Sequence, residues 1–325
     1  MRAVVPNEFR WCFRWCCFDR RCVEVSSSKG VKACVILNPK AGSVKDLDLI
    51  LKQIDRFRPA MVHVTPRKGA AKILAGEAIH QGCDYIVAAG GDGTLNEVIN
   101  GVAKHASKIQ IGLLPLGTGN DFARCLNLPA GVDENIDILM AGATKPVDLV
   151  RVKSTRTRFF VNVSAGGFSG LVDEKLTPRI KRTWGPLAYV RSAAAALPKL
   201  RAYRTTVRFG PDEAVAHDLY NVVVANGRFV AGGLPIAPEA DPSDALLDVI
   251  LIPQRPAPEI ALLTAKILLG KHLKDDFVTF RRAPKVSIES RPGMWFNVDG
   301  ELVGNAPAEF EIIPNALHFV IGQND

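Results

Sequence analysis

Residues 85–97 read Tyr-Ile-Val-Ala-Ala-Gly-Gly-Asp-Gly-Thr-Leu-Asn-Glu, an apolar run that ends in a glycine-rich turn. The run at 85–89 is typical of a buried strand, and helical spacing follows over 95–102. Glycines at such a turn let the backbone approach a ligand and direct N–H groups at it, and the helix N-terminus adds partial positive charge. The stretch predicts a phosphate-binding turn, with a tight turn capped by Asp92 as the alternative.

Two further turns of small residues follow predicted strands. Asn38-Pro39-Lys40-Ala41-Gly42 comes after the run 33–37, and Gly117-Thr118-Gly119-Asn120-Asp121 comes after the run 109–114. Three such turns at the carboxyl edge of one parallel sheet can enclose a polyphosphate. Asp92 would repel phosphate unless it holds Mg²⁺. The repeated strand–helix units predict a doubly wound α/β domain over residues 31–146.

The pattern changes after about residue 146. Alternating residues and turn signals predict an antiparallel β-sandwich over 147–313, interrupted by helices at 186–197 and 258–269. Residues from about 314 to 325 are candidates to return to the first domain. The predicted strands lie at 146–153, 158–165, 201–209, 216–225, 246–251, 277–280, 285–288, 295–298, 309–313 and 318–321.

The composition is that of a globular protein. The chain has 325 residues, of which 47% are hydrophobic and 23% charged, which excludes a wholly disordered chain, a collagen-like fibre and a small disulfide scaffold. Because it has no apolar window of about 18 residues, we expect no transmembrane helix. Seven cysteines, four of them among the first 22 residues, do not resemble a secreted framework and favour a reducing compartment with buried thiols.

The positive charge is uneven. The formal net charge is +8, and residues 179–210 contain basic side chains but no Asp or Glu. A surface of one sign attracts nucleic acid or an acidic lipid surface, and a solvated face is the alternative. Residues 1–30 lack the apolar region of a signal peptide. We interpret them as a poorly ordered extension or as the result of a start codon assigned too early.

Other nucleotide-binding motifs and hydrolase motifs are absent from the sequence. The chain has no Walker P-loop, His-Glu-x-x-His or Gly-x-Ser-x-Gly, and neither glycine-rich turn has the third glycine of a dinucleotide fingerprint. We interpret the six histidines as surface or capping residues. No recognised nucleic-acid motif supports the basic stretch, so we expect no nucleic-acid partner.

A carboxylate group lies far along the chain, in Asn297-Val298-Asp299-Gly300-Glu301 at the end of a predicted strand. If the two halves face each other, this acidic pair could stand across a cleft from the phosphates, where a general base would act on an acceptor hydroxyl. A plain hairpin turn is the alternative interpretation.

Together these motifs resemble the diacylglycerol kinase catalytic-domain family in its small soluble bacterial form. The matching segments are residues 38–42, 90–97, 115–124 and 299–301, and the resemblance covers about residues 31–321. Sphingosine kinases and phosphatidylglycerol kinase-like proteins share the pattern, and NAD kinases share the Gly-Gly-Asp-Gly-Thr core more distantly.

The resemblance implies ATP-dependent transfer of the γ-phosphoryl group to a lipid hydroxyl, above all diacylglycerol to phosphatidic acid. Asp92 and Asp121 would organise Mg²⁺ and the phosphates, Glu301 would accept the proton, and Asp299 would lie beside it. The residues that would bind ATP are Asn38, Pro39, Lys40, Ala41, Gly42, Thr65, Gly90, Gly91, Asp92, Gly93, Thr94, Leu95, Asn96, Glu97, Gly117, Thr118, Gly119 and Asn120.

The resemblance also implies a structural Mg²⁺ site in the second domain. Asp241, Asp244 and the Leu246 carbonyl fall at its ligand positions, and hard oxygen ligands suit Mg²⁺. The family usually has glycine where Ala245 stands, so a positive φ there would strain the loop. Ala231-Gly232-Gly233 departs from the three glycines that the family often has.

Such a kinase must reach lipid in a bilayer, so we expect a cytoplasmic protein, peripheral at the inner face of the membrane. We expect an anionic membrane surface as a partner, contacted by the basic and apolar residues near Trp184, with a core helix as the alternative; a homodimer is compatible with this interpretation. Phosphatidylglycerol, a sphingoid base, ceramide, an undecaprenol-like alcohol and NAD remain open as acceptors, as does a nucleotide-binding regulatory protein without turnover.

Overall fold

The turns singled out by the sequence follow strands of one parallel sheet. A computed structural model describes residues 31–167, 201–210, 213–299 and 301–322. The predictions for the extension 1–30, for a helix over 186–197 and for membrane contact near Trp184 lie outside the described residues.

The first domain alternates strands and helices in the chain order β1, α1, β2, α2, β3, α3, β4, α4, α5. Strands β2, β1, β3 and β4 lie side by side in that order and run parallel. The bounds are β1 Ala33–Leu37, α1 Leu47–Asp55, β2 Met61–Val64, α2 Ala70–His80, β3 Tyr85–Gly90, α3 Asp92–Val102, a 3₁₀ helix Ala103–Lys108, β4 Gln110–Pro115, α4 Asp121–Cys125 and α5 Val132–Ala141.

This sheet is buried on both faces, as a doubly wound sheet requires. Cys34 and Ile36 of β1 pack in the cluster that contains residues of α2 and α3, whereas Val35 and Leu37 pack with residues of α1 and α5. The period-two alternation of the strand thus supplies both cores. Cys34, Cys83 and Cys125 are buried free thiols.

The second domain is built mainly from antiparallel strands, which confirms the predicted α/β domain followed by a β-sandwich. Helix α6 covers one face of it. The bounds are β5 Thr144–Lys153, β6 Thr157–Phe160, β7 Val163–Gly167, β8 Tyr203–Arg208, β9 Ala214–Ala225, β10 Phe229–Val230, β11 Leu234–Pro235, β12 Leu247–Pro253, α6 Ala257–Leu268, a 3₁₀ helix His272–Lys274, β13 Thr279–Ala283, β14 Lys285–Arg291, β15 Phe296–Val298, β16 Glu301–Gly304 and β17 Ala308–Val320.

Strand β17 joins the two domains. It pairs antiparallel with β5 and β14 in the sandwich, and through His318 and Phe319 it pairs parallel with β4. The register with β5 shifts between Ile313 and Leu317, where Asn315 has a φ of 51°. The predicted strands 309–313 and 318–321 are therefore one irregular strand.

Two other predicted boundaries differ. The predicted strand 158–165 is two strands, β6 and β7, and between them the carbonyl of Asn162 accepts hydrogen bonds from the backbone N–H groups of Asn226 and Gly227. Helix α3 begins at Asp92, inside the glycine-rich turn, rather than at Leu95. Among the described residues, no helix is long and apolar enough to cross a membrane.

Candidate active site

The three small-residue turns meet at the carboxyl edge of the parallel sheet and line a cleft of about 420 Å³. Because the strands are parallel, their carboxyl ends converge there. The predicted residues that line the nucleotide cleft are Asn38, Lys40, Ala41, Gly42, Thr65, Gly91, Gly93, Thr94, Glu97 and Gly117. Pro66, Arg67 and Lys68, which sequence reasoning missed, also line it and directly follow Thr65.

Close backbone approach explains several glycines. A Cβ on Gly117 would lie 2.4 Å from the Cα of Gly91, and a Cβ on Gly42 would lie 2.3 Å from Oγ1 of Thr118. Gly93 differs, since a Cβ there would meet no heavy atom within 4 Å. The fold therefore requires glycine at Gly117, where a Cβ would meet backbone, whereas Gly93 leaves space at the cleft.

The N-terminus of α3 faces this space. Its N-cap residue, Gly91, is extended and provides no side-chain cap. An uncapped helix N-terminus presents backbone N–H groups and partial positive charge, which together favour an anionic ligand. This arrangement supports the predicted phosphate-binding role of the turn.

Some predicted residues hold the turns together. Asn120 has a φ of 51°, and its side chain accepts from the Gly117 N–H and donates to the carbonyls of Pro115 and Gly117. The Asn38 side chain donates to Oγ1 of Thr94. Leu95 is a buried core residue. Pro39, Gly90, Thr118 and Gly119 lie in or beside the turns without lining the cleft.

Glu97 links the cleft to the neighbouring helix. Its carboxylate accepts from the Gly69 N–H at 2.7 Å and from the Ala71 N–H at 3.0 Å. The α2 N-cap, Gly69, is left-handed and supplies no side-chain cap. Glu97 therefore caps α2 from a distance, a role that sequence reasoning missed because the partners lie 28 and 26 residues away.

Asp92 and Asp121 bring two carboxylates together. Asp92 accepts from the Phe122 N–H, and Asp121 accepts from the N–H groups of Gly232 and Gly233. A Cβ on Gly119 would lie 3.0 Å from an oxygen of Asp92 and 3.4 Å from one of Asp121. Burial raises the pKa of Asp92, and burial together with the charge of Asp92 raises the pKa of Asp121 to about 6.

The distant acidic pair lies at the same end of the molecule. Asp299, with a φ of 44°, sits at the turn between β15 and β16. Its carboxylate accepts from the Asn96 side chain at 3.1 Å and from the Val163 N–H at 3.2 Å. Burial raises the pKa of Asp299 to about 7, with the hydrogen bond from Asn96 opposing the rise and the charge of Asp92 adding to it.

Glu301 lies beside a residue of the cleft. Its Oε1 is 3.8 Å from Nζ of Lys68, which lines that cleft, and its side chain is 36% exposed. The structure thus brings a carboxylate from the second domain next to a lysine of the cleft in the first. Asn96 and Asn100 support this placement, since both bond to the strand and hairpin of the second domain.

Comparison with known proteins identifies the family of both domains. Residues 32–152 match the family described as "Diacylglycerol kinase catalytic domain", and residues 162–321 match "YegS C-terminal NAD kinase beta sandwich-like domain". A protein of Staphylococcus saprophyticus named diacylglycerol kinase is 30% identical over 285 residues, which cover 86% of this chain and 92% of that protein.

The chain belongs to the diacylglycerol kinase family. A diacylglycerol kinase of Staphylococcus aureus is also 30% identical, over 86% of this chain and 89% of its own length. The crystal structure of a diacylglycerol kinase from Bacillus anthracis has the same fold, with a TM-score of 0.72 at 21% identity over 91% of this chain and 99% of that one. This family member is a lipid kinase, an enzyme that transfers phosphate to an alcohol acceptor.

The loop of the predicted metal site contains a residue with left-handed backbone conformation. Ala245 has a φ of 62°, and its N–H donates to the buried Asp148 at 2.7 Å. Asp241 accepts from Ser243, and Asp244 accepts from the Leu246 N–H. Although burial opposes it, the Ser243 hydroxyl holds the pKa of Asp241 below its ordinary value. Across the described ranges, no cluster of three or more His, Cys, Asp or Glu side chains could hold a metal ion.

Proposed function

We propose that this chain transfers the γ-phosphoryl group of ATP to the free hydroxyl of diacylglycerol and produces phosphatidic acid. The observation that carries the proposal is Glu301, whose carboxylate lies 3.8 Å from the Lys68 ammonium at the rim of the nucleotide cleft. A base at this point faces an acceptor hydroxyl that approaches the γ-phosphate. We assign nucleotide binding to residues 31–146 and acceptor binding to 147–313, with the chain end from about 314 returning to the first domain.

The first domain would bind the triphosphate. The uncapped N-terminus of α3 and the open space at Gly93 favour close approach of phosphate oxygens to backbone N–H groups. Lys40, Arg67 and Lys68 supply positive charge along the same cleft. Phosphoryl transfer depends mainly on positioning and charge neutralisation, and this cleft offers both.

Asp92 and Asp121 have the chemistry that Mg²⁺ requires. Both are carboxylates beside the cleft. Burial, and after it the charge of Asp92, raises the pKa of Asp121, and a shared cation would relieve the repulsion between the two carboxylates. When bound, Mg²⁺ neutralises phosphate charge during transfer. The backbone N–H groups of Phe122, Gly232 and Gly233 fix the orientation of these carboxylates.

Glu301 would act as the general base. It takes the proton of the acceptor hydroxyl while that oxygen bonds to the γ-phosphorus and the bond to the leaving ADP oxygen breaks. Asp299 and Asn96 are positioning residues, because their hydrogen bond ties the turn that carries Glu301 to α3. This connection couples the acceptor side of the site to the nucleotide side.

We also propose the loop of Asp241, Asp244 and the Leu246 carbonyl as a structural Mg²⁺ site. Oxygen donors and the acidic surroundings of Asp148 support it, while the left-handed Ala245 and Lys145, whose Nζ lies 3.9 Å from Asp241, weaken it. A change in Mg²⁺-dependent thermal stability in Asp244→Asn, compared with Asp276→Asn, would test this site.

The acceptor is tested with radiolabelled ATP and Mg²⁺ on mixed micelles of diacylglycerol, phosphatidylglycerol, sphingosine and ceramide, with soluble NAD in parallel. Membership of the family supports diacylglycerol as the acceptor, and we expect the protein to meet this lipid at the cytoplasmic face of the membrane. Label on diacylglycerol that is lost in Glu301→Ala supports the proposal. Label on another lipid reassigns the substrate, and label on NAD alone, or ATP binding without transfer, refutes it.

A further inference from the structure

The outward face of the hairpin formed by β15 and β16 is apolar and exposed. Trp295 is 49% exposed and Leu302 is 60% exposed, whereas Phe296 and Val298 are buried in the sandwich core. Trp295 directly precedes β15, and Leu302 of β16 pairs with Asn297 of β15, so both exposed side chains belong to this hairpin. We call Trp295 and Leu302 the hairpin pair.

The hairpin is held firmly in place. In the turn between β5 and β6, the Thr155 hydroxyl donates to the Val303 carbonyl at 2.7 Å, and the Ser154 hydroxyl donates to the Ala306 carbonyl at 3.0 Å. On its other side, β15 pairs with β7. The hairpin pair is thus a fixed feature of the surface.

A positive charge lies beside the hairpin. Arg156, in the turn that holds the hairpin, is exposed and has no carboxylate partner among the residues described. Arg291 and Arg204, which pair across the sheet, each lie 3.9 Å from a carboxylate, of Glu289 and of Asp218 respectively. Arg156 is therefore the charge near the hairpin that we expect an anionic headgroup to meet.

We propose that the hairpin pair and Arg156 dock this enzyme on an anionic lipid bilayer. Trp and Leu suit the boundary between headgroups and acyl chains, and arginines suit the lipid phosphates. The inference rests on the proposed function and adds the orientation of the enzyme.

Docking by this face would bring the general base to the lipid. Leu302 directly follows Glu301, and consecutive Cα atoms are about 3.8 Å apart. The hydroxyl of diacylglycerol lies at the headgroup level of a bilayer, so a hairpin seated there places Glu301 at the depth of its acceptor.

The test is co-sedimentation of the full chain with vesicles of phosphatidylcholine, with and without phosphatidylglycerol, in the absence of ATP. The double variant Trp295→Ser/Leu302→Ser should bind vesicles at least about tenfold more weakly. The matched control is Leu49→Ser/Leu262→Ser, which removes two leucines that are 54% and 58% exposed on α1 and α6. It should bind like the unchanged chain.

Arg156→Ser should weaken binding to the phosphatidylglycerol vesicles by about fivefold and leave binding to pure phosphatidylcholine unchanged. The inference is overturned if the hairpin variant binds as tightly as the unchanged chain, or if the control variant weakens equally. It is also overturned if the hairpin variant changes only the oligomeric state, measured by light scattering, because the face would then join two copies of the chain.

The proposed function is tested separately from the docking inference. Turnover of a short-chain diacylglycerol dissolved as monomers should be unchanged in the hairpin variant, because no bilayer is involved. If the unchanged chain phosphorylates no lipid but binds vesicles through the hairpin pair, the docking inference stands and the kinase assignment is wrong. If the unchanged chain phosphorylates diacylglycerol monomers and the hairpin variant still binds vesicles normally, the kinase assignment stands and the docking inference is wrong.

Discussion

Replacing Asp121 by asparagine should make the protein more stable while removing its function. The pKa of Asp121 is raised from 3.8 to about 6 by burial and by the charge of Asp92. This difference corresponds to about 3 kcal/mol of unfavourable free energy for the ionised side chain in the folded protein. The introduced amide would keep an oxygen for the N–H groups of Gly232 and Gly233 but lose the charge assistance, a loss of about 1 kcal/mol.

The sign of the pH dependence follows from the raised pKa. A carboxyl group with a raised pKa favours the folded state below pH 3.8, and this contribution is lost as the pH rises through about 6. The stability of Asp121→Asn relative to the unchanged protein should therefore increase between pH 4 and pH 7. At pH 8 the variant should be more stable by about 1–2 kcal/mol.

The assay is urea unfolding at several pH values in EDTA, because bound Mg²⁺ would stabilise only the protein that keeps the carboxylate. Asp276→Asn, which changes an exposed carboxylate, is the matched control and should show no such pH-dependent difference. Asp121→Asn should also lose the stabilisation that ATP and Mg²⁺ give. A variant that is less stable than the unchanged protein at pH 8, or a difference that does not vary with pH, would refute the reasoning.

Four further substitutions distinguish residues that hold the fold from residues that act in the site. Gly93→Ala should retain the melting temperature but bind ATP at least about tenfold more weakly by calorimetry, whereas Gly117→Ala should lower the melting temperature because its Cβ meets backbone at 2.4 Å. Glu97→Ala should cost about 1–2 kcal/mol in chemical unfolding, since it removes a helix cap; an unchanged midpoint would contradict this role. Asn96→Ala should raise the pKa of Asp299 further and move the acidic limb of the rate profile to higher pH; an unmoved limb would show that Asp299 does not control it.

Much of the first domain could be predicted because its signals are local. The strand at 33–37 has the predicted bounds, since it is an apolar run that ends at turn residues. The glycines of the cleft were also predictable, because a turn after a strand requires close backbone approach within a few residues.

The sandwich was harder because its irregularities depend on distant partners. The register shift near Asn315 interrupts the alternation of β17 and made one strand read as two. The turn at Asn162 is stabilised by residues 226 and 227, so nothing nearby marks it.

The same reason limits prediction of the site. The bond between Asn96 and Asp299 joins residues 203 positions apart, and the cap from Glu97 joins two different strand–helix units. Lys68 lies three residues after Thr65, which was predicted to bind ATP. A basic residue so close to a predicted phosphate-binding position was the one sequence signal that pointed to Lys68. Only the tertiary structure relates Lys68 to Glu301.

The central claim is that Glu301 accepts the proton of the lipid hydroxyl. The most direct measurement is the rate of phosphoryl transfer to diacylglycerol by Glu301→Gln, with ATP affinity measured on the same protein. The exchange keeps the size of the side chain and removes its basicity, so turnover should fall by about 10²-fold or more while the ATP dissociation constant stays within about twofold. Near-normal turnover, or an equal loss of ATP binding, would contradict the account.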